Sequence, residues 1–326
     1  MKANVKYENF YTYDKINNIV FDMNKMPLPK NHVIYLILDK YKNMLKILND
    51  ILIVPNRSME EADKNLVFKG KDSKGRYQYC YGVDYVKERL DKKLENFLKI
   101  YKKMDIIQSI IKKGLEEKEI NKQFLFASIL LLELTFYIRL GKEIYLNENE
   151  TIGLLTLKKN NLIQTKDTIT ISFKAKSNKQ QEFVCRKEDQ PLVFFVLSKL
   201  IDNASSNDSF IFTYKNNKHF TERILNKRLK EIDLRLKDFR TYGVNILFLK
   251  TIYDNMDHSP KIDIKKLIKT GVADAAAIIG HTKNISKKSY LSEQLVNATE
   301  EFLKDYSNQQ YSFDSFIKKV IDKCLV

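Results

Sequence analysis

The chain of 326 residues carries 57 Lys and Arg against 41 Asp and Glu, which gives a net charge of +16 at neutral pH. Its hydrophobic content of 44%, with 19 Phe and 18 Tyr, excludes a wholly disordered chain, because this much apolar surface can offset the entropy of ordering. The length predicts two domains. So basic a folded chain favours a polyanionic partner, nucleic acid first and an anionic membrane surface second, although a lysine-rich genome would explain the same composition.

The cysteine pattern and the apolar segments favour an intracellular chain over a secreted or membrane-spanning one. The three cysteines lie far apart and form no C-x-x-C pair, so they predict neither a disulfide framework nor a zinc ribbon, and an intracellular compartment is the default. The first 15 residues lack the apolar core of a signal peptide. The longest apolar stretch, residues 124–138, is shorter than the ~20 residues of a membrane span and predicts a buried helix.

The first elements along the chain predict a small β-rich domain. Asp50–Val54 forms a strand pattern that Pro55 ends, and Ser58–Glu61 is a capping box that begins a short helix. Residues 70–82 predict a turn followed by an alternating strand with three tyrosines on one face. These tyrosines are Tyr77, Tyr79 and Tyr81.

Helical periodicity dominates after Gly82, so the chain is predicted to be α+β, with an N-terminal domain over 1–88 and a mostly helical domain over 89–326. One long amphipathic pattern runs from Val86 to about Lys113. A short three-stranded sheet is predicted from the segments 153–157, 168–173 and 182–186. Further helices are predicted over 192–202, 220–236, 237–252, 263–279, 285–291, 293–305 and 313–324.

Nucleotide and metal motifs are missing from the sequence. Gly70 and Gly75 have the spacing of the two glycines in a phosphate-binding loop. Arg76 and Tyr77, however, replace the required Lys-Ser/Thr, and the predicted element that follows is a strand rather than a helix. No acidic cluster has the spacing of a metal site. We therefore predict no cofactor and no metal. Chemistry on a phosphodiester without a metal requires fixed cations, and Arg binds the non-bridging oxygens in a bidentate manner.

Arg139 and Lys176 are two candidates for such cations. Arg139 ends the predicted apolar helix beside Gly141, where it is held on a rigid support or caps the helix end electrostatically. Lys176 lies on the turn between two predicted strands, where it could donate a proton or could simply be a solvated lysine. Lys174 and Lys179 are close alternatives.

The remaining candidates are Arg240, His281 and Tyr290. Arg240 lies in the first turn of a predicted helix, with Asp238 as its expected N-cap, although a basic amphipathic face explains the same pattern. His281 follows Gly280, which is expected to end a helix, and Asn284 is the expected cap of a short helix that leads to Tyr290. A tyrosine hydroxyl, with an ordinary pKa of ~10, is a weak nucleophile that needs cations around the phosphate.

These residues, in this order, resemble a poxvirus-type DNA topoisomerase IB over most of the chain from about Asp50. The resemblance is densest in the words DSKGRYQYCYG, IRLGKEIYLNENETIGLLTLK, KDFRTYG and GHTKNISKKSY. It implies that a small β-rich domain and a larger helical domain close around duplex DNA as a C-shaped clamp. It also implies an enzyme that relaxes supercoils through a DNA-(3′-phosphotyrosyl) intermediate, strand rotation and religation, without ATP or metal.

The resemblance implies a role for each candidate. Tyr290 would be the nucleophile, Arg139 and Arg240 the clamp on the phosphate oxygens, His281 a further hydrogen-bond donor and Lys176 the general acid. Residues implied to contact DNA or to support the cleavage site are Lys74, Arg76, Gln78, Tyr79, Tyr81, Lys142, Tyr145, Lys237, Asn245 and Lys287. The expected partner is double-stranded DNA, bound by a monomer with no membrane and no nucleotide. The expected location is intracellular, in the virion and the cytoplasm of the infected cell.

Two other classes of protein remain open from the sequence. A tyrosine recombinase uses the same set of catalytic residue types, although recombinases usually carry His-x-x-Arg where this chain has Lys237-Asp-Phe-Arg240. A non-catalytic DNA-binding or packaging protein is the second alternative, because the charge alone supports salt-dependent binding.

Overall fold

The computed structural model describes residues 9–141, 143, 146, 150–175, 179–256, 263–280, 282–306 and 311–325. The chain divides into two compact units, one up to Lys92 and the other from Lys93 onward. Helices and small antiparallel sheets make up the described residues, so the predicted α+β class is confirmed.

In the described part of the chain, the first unit contains an antiparallel sheet whose strands lie in the order Ile19–Phe21, Tyr11–Asp14, Asn49–Ile53, Leu66–Lys71 and Tyr77–Tyr81. Its core includes Ile34, Ile37, Ile53 and Phe68, all of which are fully buried. The elements are β1 (Tyr11–Asp14), β2 (Ile19–Phe21), α1 (Val33–Lys40), α2 (Lys42–Ile47), β3 (Asn49–Ile53), α3 (Met59–Lys64), β4 (Leu66–Lys71) and β5 (Tyr77–Tyr81).

Local signals in the first unit act as the sequence predicts, with one difference. The Ser58 hydroxyl accepts a hydrogen bond from the Glu61 amide at 3.1 Å and so caps α3. The Glu61 carboxylate bonds the amide of Arg57, at 2.7 Å, rather than that of Ser58. On β5 the exposed side chains of Tyr77 and Tyr79 alternate with inward-facing residues, as the strand pattern predicts.

The second unit is mostly helical and carries an antiparallel sheet of order β6-β7-β8. Helix α4 (Val83–Lys102) includes the boundary between the units. The elements that follow are α5 (Met104–Leu115), α6 (Lys122–Phe136), β6 (Leu162–Gln164), β7 (Thr168–Ala175), β8 (Lys179–Arg186), α7 (Pro191–Asn203), β9 (Thr213–Tyr214), β10 (Lys218–His219), α8 (Glu222–Glu231), α9 (Leu236–Met256), α10 (Ile264–Ile278), α11 (Lys283–Ser289), α12 (Glu293–Lys304) and α13 (Phe313–Cys324).

Two predicted elements are wrong, and a third, which is helical as predicted, is divided in two. The segment 153–157 is not a strand: Leu154–Thr156 forms a 3-10 turn, and Leu162–Gln164 takes the third place in the sheet. The turn is fixed because the Leu154 amide bonds the Arg139 carbonyl at 2.7 Å. The pattern over 86–113 is two helices, which separate at Lys103. The helix predicted over 220–236 ends at Glu231.

Helix α6 is buried on nearly every side, as its apolar sequence predicts, but it ends two residues earlier than expected. Tyr137 adopts a left-handed conformation with φ +51°, and its amide bonds the Glu133 carbonyl at 3.0 Å. Arg139 therefore lies beyond the helix and does not cap it. The Tyr137 ring packs against Gly243 of α9, where any Cβ would overlap the ring atoms.

We predict that Gly243→Ala destabilises the second unit. The new methyl group must displace the buried Tyr137 ring, and such overpacking costs about 1–3 kcal/mol, only part of which the better helix propensity of Ala recovers. Urea unfolding followed by the helical circular dichroism signal measures the change.

Gly271→Ala on α10 is the matched control. A Cβ there would lie 3.0 Å from Cδ2 of Phe248, so small side-chain shifts accommodate it. Equal stability of Gly243→Ala and the wild type would contradict the packing that the structure gives to Tyr137.

Candidate active site

Arg240 lies inside the second unit, on a part of α9 that is buried on nearly every side. Its side chain is 7% exposed. One Nη atom donates a hydrogen bond to the Tyr137 carbonyl at the end of α6. Burial lowers the pKa of Arg240 and the neighbouring Tyr290 opposes that change, but an arginine stays charged in either case. The site therefore holds a permanent buried cation.

The predicted N-cap of α9 is wrong, although the helix starts within one residue of the predicted Lys237. The helix begins at Leu236, so Asp238 lies in its first turn and is not the N-cap. The fully buried Asp238 carboxylate accepts a hydrogen bond from the Arg235 amide at 3.0 Å and from the Arg235 guanidinium at 2.7 Å. A carboxylate in the first turn also favours the helix dipole. Asp238 thus fixes the entry of the chain into α9.

Tyr290 ends α11 and lies beside Arg240. The guanidinium carbon of Arg240 is 5.8 Å from the centroid of the Tyr290 ring, and the two side chains share a hydrogen bond. Helix α11 is capped by the Thr282 hydroxyl, which accepts from the Ile285 amide at 3.3 Å, and not by Asn284 as predicted. Both residue types are good N-caps, so the sequence pattern did not decide between them.

Asn245 binds the backbone on both sides of Leu291. Its side-chain nitrogen donates to the Tyr290 carbonyl at 3.0 Å, and its side-chain oxygen accepts from the Ser292 amide at 2.9 Å. Asn245 is fully buried one turn and a half after Arg240 on α9. The same helix therefore supplies the cation next to the tyrosine ring and the amide that fixes the tyrosine backbone.

Lys93 makes a second attachment to this segment, and the sequence analysis missed it. This lysine is 6% exposed, and its Nζ donates to the Lys287 carbonyl at 2.9 Å and to the Leu291 carbonyl at 3.2 Å. Buried lysines are rare unless their charge is satisfied. The available signal was a lysine on the apolar face of α4, between Leu90 and Phe97.

Arg139 belongs to the same cluster as Arg240. It is half-buried after the left-handed turn at Tyr137, and its positive charge contributes to the lowered pKa of Arg240. Its backbone is fixed by the close approach of two glycines. Gly141 has φ +71°, and a Cβ there would lie 2.7 Å from the Cα of Gly153.

The structure thus brings together Arg139, Arg240, Asn245 and Tyr290 from the predicted set. Lys142, Tyr145, Lys176 and His281 lie outside the described residues. Lys237 and Lys287 are exposed, on the first turn of α9 and on α11. The other predicted DNA contacts are on or beside the β4–β5 hairpin of the first unit, where Arg76 and Tyr79 are exposed and Gln78 and Tyr81 are half-buried. Lys74 is also exposed there.

Glu133 is a buried acid within the apolar stretch 124–138, for which the sequence predicts only a buried helix. It is fully buried on α6, and within the described part of the chain neither carboxylate oxygen has a hydrogen-bond partner. Loss of hydration raises the pKa of Glu133 to about 8, while the positive charge of Arg240 acts in the opposite direction. Near neutral pH the acid is therefore largely protonated.

The Arg240 guanidinium beside the Tyr290 side chain, with the charge of Arg139 near Arg240, can stabilise the charge that develops on a phosphate under attack. Among the described residues, no group of three or more His, Cys, Asp or Glu side chains could hold a metal ion. No described helix is long and apolar enough to cross a membrane.

Comparisons with known proteins identify the family. A family model for the catalytic core of eukaryotic DNA topoisomerase I matches residues 83–315. The DNA topoisomerase 1B of vaccinia virus, strain Copenhagen, is 36% identical over 274 residues, which cover 83% of this chain and 84% of the viral protein. The DNA topoisomerase I of monkeypox virus matches to the same extent. The DNA topoisomerase 1B of Acanthamoeba polyphaga mimivirus is 26% identical over 254 residues, or 73% of this chain and 74% of its own.

The fold, the arginine–tyrosine cluster and these matches define an enzyme of the DNA topoisomerase I class. Within that class, the chain belongs to the type IB DNA topoisomerase family, so the predicted resemblance is confirmed. The recombinase and the non-catalytic packaging protein are not favoured.

We predict that Glu133 makes the protein less stable as the pH rises from 5 to 8. The unfolded acid ionises near its ordinary pKa of 4.5, whereas the folded acid keeps its proton until about pH 8. Between these two pKa values only the unfolded state ionises, and this stabilises it relative to the folded state. The free energy of unfolding therefore falls by an amount on the order of 3 kcal/mol over this interval. Urea unfolding at pH 5, 6.5 and 8 measures the slope.

Glu133→Gln cannot ionise, so its unfolding free energy lacks this decrease. Glu231→Gln, an exposed change on α8, is the matched control and should follow the wild-type slope. Parallel slopes for the wild type and Glu133→Gln would show that Glu133 is not held protonated.

Proposed function

We propose that this enzyme relaxes supercoiled duplex DNA by cutting one strand through Tyr290 and resealing it, without ATP or metal. The observation that carries the proposal is the contact between the buried Arg240 guanidinium and the Tyr290 side chain, with the charge of Arg139 close by. A permanent cation at a tyrosine hydroxyl suits a phosphate ligand, because the ligand compensates the buried charge.

In the proposed first step, the Tyr290 hydroxyl oxygen attacks a backbone phosphorus and releases its proton to solvent. The bond from phosphorus to the 5′-oxygen of the next nucleotide breaks, and a general acid protonates that oxygen. The products are a 3′-phosphotyrosyl ester and a free 5′-hydroxyl. The duplex then rotates about the intact strand, and the 5′-hydroxyl attacks the ester to restore both groups. The ester conserves the energy of the broken bond, so no nucleotide is consumed.

The other roles rest on the resemblance and on position. Arg139 and Arg240 would hold the non-bridging oxygens, and His281 would donate a further hydrogen bond. Lys176, which falls in sequence between β7 and β8, would be the general acid. Asn245 would support the reaction through the Tyr290 backbone, which it binds.

The DNA contacts are also proposed. Residues 1–88 would form a DNA-binding domain and 89–326 the catalytic domain, which together would clamp the duplex as a monomer. The exposed Tyr79 and Arg76 would contact DNA from the first domain. The proposed location is the virion and the cytoplasm of the infected cell. The remaining proposed contacts are Lys74, Gln78, Tyr81, Lys142, Tyr145, Lys237 and Lys287.

We expect Tyr290→Phe to abolish relaxation of a supercoiled plasmid in the presence of EDTA and without ATP, because the ring stays but the nucleophilic oxygen is lost. Non-covalent DNA binding, measured by mobility shift, should stay close to the wild-type value. Denaturing gels and peptide mass spectrometry would identify the covalent adduct in the wild type.

Tyr214→Phe is the matched control, since Tyr214 is half-buried on β9 of the same unit. It should relax DNA and form the adduct normally. Relaxation by Tyr290→Phe, or an adduct on another tyrosine, would refute the assignment of the nucleophile.

Arg139→Ala and Arg240→Ala should each slow single-turnover strand cleavage by about 10²–10³-fold, the cost of removing one preorganised contact to a developing oxyanion. Arg240→Lys should remain slow as well, because an ammonium group lacks the bidentate geometry. The assay mixes excess enzyme with an end-labelled duplex and follows the covalent product.

Arg186→Ala serves as the control because Arg186 is exposed on β8 and pairs only loosely with Asp189, at 3.8 Å. Its cleavage rate should match that of the wild type. Wild-type rates in both Arg139→Ala and Arg240→Ala would exclude the proposed clamp.

A further inference from the structure

Asp72 is the acceptor at the centre of the β4–β5 hairpin. Its Oδ1 atom accepts from the amides of Lys74 at 2.9 Å and Arg76 at 3.0 Å. Its Oδ2 atom accepts from Nε of Arg76 at 3.0 Å, from Nη2 of Arg76 at 2.8 Å and from Nε2 of Gln78 at 3.0 Å. A single carboxylate therefore receives five donors, three of them from two side chains.

The backbone of the hairpin places Asp72 where it can reach both side chains. The Asp72 amide bonds the Arg76 carbonyl at 3.0 Å, and the Gly75 amide bonds the Asp72 carbonyl at 2.9 Å. Gly75 adopts φ +74°, a conformation that glycine reaches without strain. The loop is thus closed by its own backbone, and the carboxylate then orders the side chains that project from it.

An acidic group on a surface that binds DNA requires an explanation, because it repels phosphate. Asp72 is mostly shielded, and hydrogen bonds led by that from the Arg76 side chain hold the pKa of its carboxyl far below the ordinary value. The ion pair with Arg76 cancels its charge locally. Asp72 therefore repels DNA phosphates only weakly, and its main effect is on the geometry of its hydrogen-bond partners.

We propose that Asp72 is a specificity-determining positioning residue, which locks Arg76 and Gln78 into one rigid unit for reading the bases of the DNA site. The inference rests on the proposed function, since it assumes that this hairpin meets DNA. It assigns to Asp72 a role that acts through its two partners and involves no contact of its own with the bases.

The bonds to Asp72 determine which atoms the two partners can offer to DNA. Arg76 uses its Nε edge for Asp72, so Nη1 remains for a base or a phosphate, and the side chain is 67% exposed. The Gln78 amide nitrogen is engaged, which fixes the orientation of the amide and of its oxygen. Arg and Gln read bases through paired donors and acceptors, so such fixing sets which base is preferred.

The opposite face of the β4–β5 hairpin, where Lys71 is paired with Tyr77, also carries cations that suit a duplex backbone. Tyr77 is 44% exposed, and the Nζ atoms of Lys69 and Lys71 lie 5.0 Å and 5.7 Å from the centroid of its ring. Lys71, which lies on the opposite face of the hairpin from Gln78, also pairs with Asp50 at 2.9 Å. Asp50 is therefore a second carboxylate on the same sheet that is paired with a basic side chain. Its substitution by Asn controls for the loss of one negative charge.

The test is a cleavage map of Asp72→Asn on an end-labelled duplex of mixed sequence. Asp72→Asn removes the charge and replaces one of the two acceptor oxygens with an NH2 donor, so Arg76 and Gln78 lose their common charged anchor. The ratio of cleavage at the strongest site to the average site should fall by about tenfold, the equivalent of one well-made base contact. Asp50→Asn should leave this ratio unchanged.

A double-mutant cycle separates positioning from a general defect in the hairpin. In a background with Arg76→Ala and Gln78→Ala, Asp72→Asn should have no further effect on the map, because its partners are gone. An unaltered map in Asp72→Asn overturns the inference, and so does an undiminished effect in that background. Failure of the proposed function is distinguishable, because the wild type would then form no adduct at Tyr290.

Discussion

The buried charge of Arg240 is the constraint on which the catalytic unit depends. A guanidinium that is 7% exposed has lost most of its hydration and cannot lose its proton, so the fold must bring dipoles to it. The Tyr137 carbonyl and the Tyr290 side chain do so. The left-handed turn that ends α6 and the glycine at position 243 of α9 follow from this requirement, since together they let the two helices approach at Arg240.

Sequence reasoning selected Arg139, Arg240 and Tyr290 from short motifs and Asn245 from the family resemblance, and the structure places these four residues in one cluster. It was less accurate about local geometry. Asp238 and Asn284 are good capping residues, yet Asp238 bonds the Arg235 amide from inside the first turn and Thr282 caps α11. A cap depends on where packing starts the helix, and the local pattern allows several starting points. The catalytic roles of Arg139, Lys176, Arg240, His281 and Tyr290 remain predictions.

Long-range contacts account for most of what the sequence could not predict. The β-rich composition of 153–157 favours a strand, but the contact of Gly153 with Gly141 and the bond from Leu154 to Arg139 impose a 3-10 turn. Lys93 interrupts an apolar helix face in a way that is visible in the sequence. Its acceptors lie nearly 200 positions later, at Lys287 and Leu291, and no spacing rule connects them. The overall α+β class depends on local periodicity and was therefore predictable.

The hydrogen bonds that Asn245 and Lys93 make to residues 287–292 end on main-chain atoms: three carbonyl oxygens and the amide of Ser292. Every amino acid has a carbonyl, and every one except proline has an N–H. The side chains of α11 can therefore diverge between relatives while the tyrosine stays anchored. Evolution is free to vary the outer face of this helix without loosening the residue at its end.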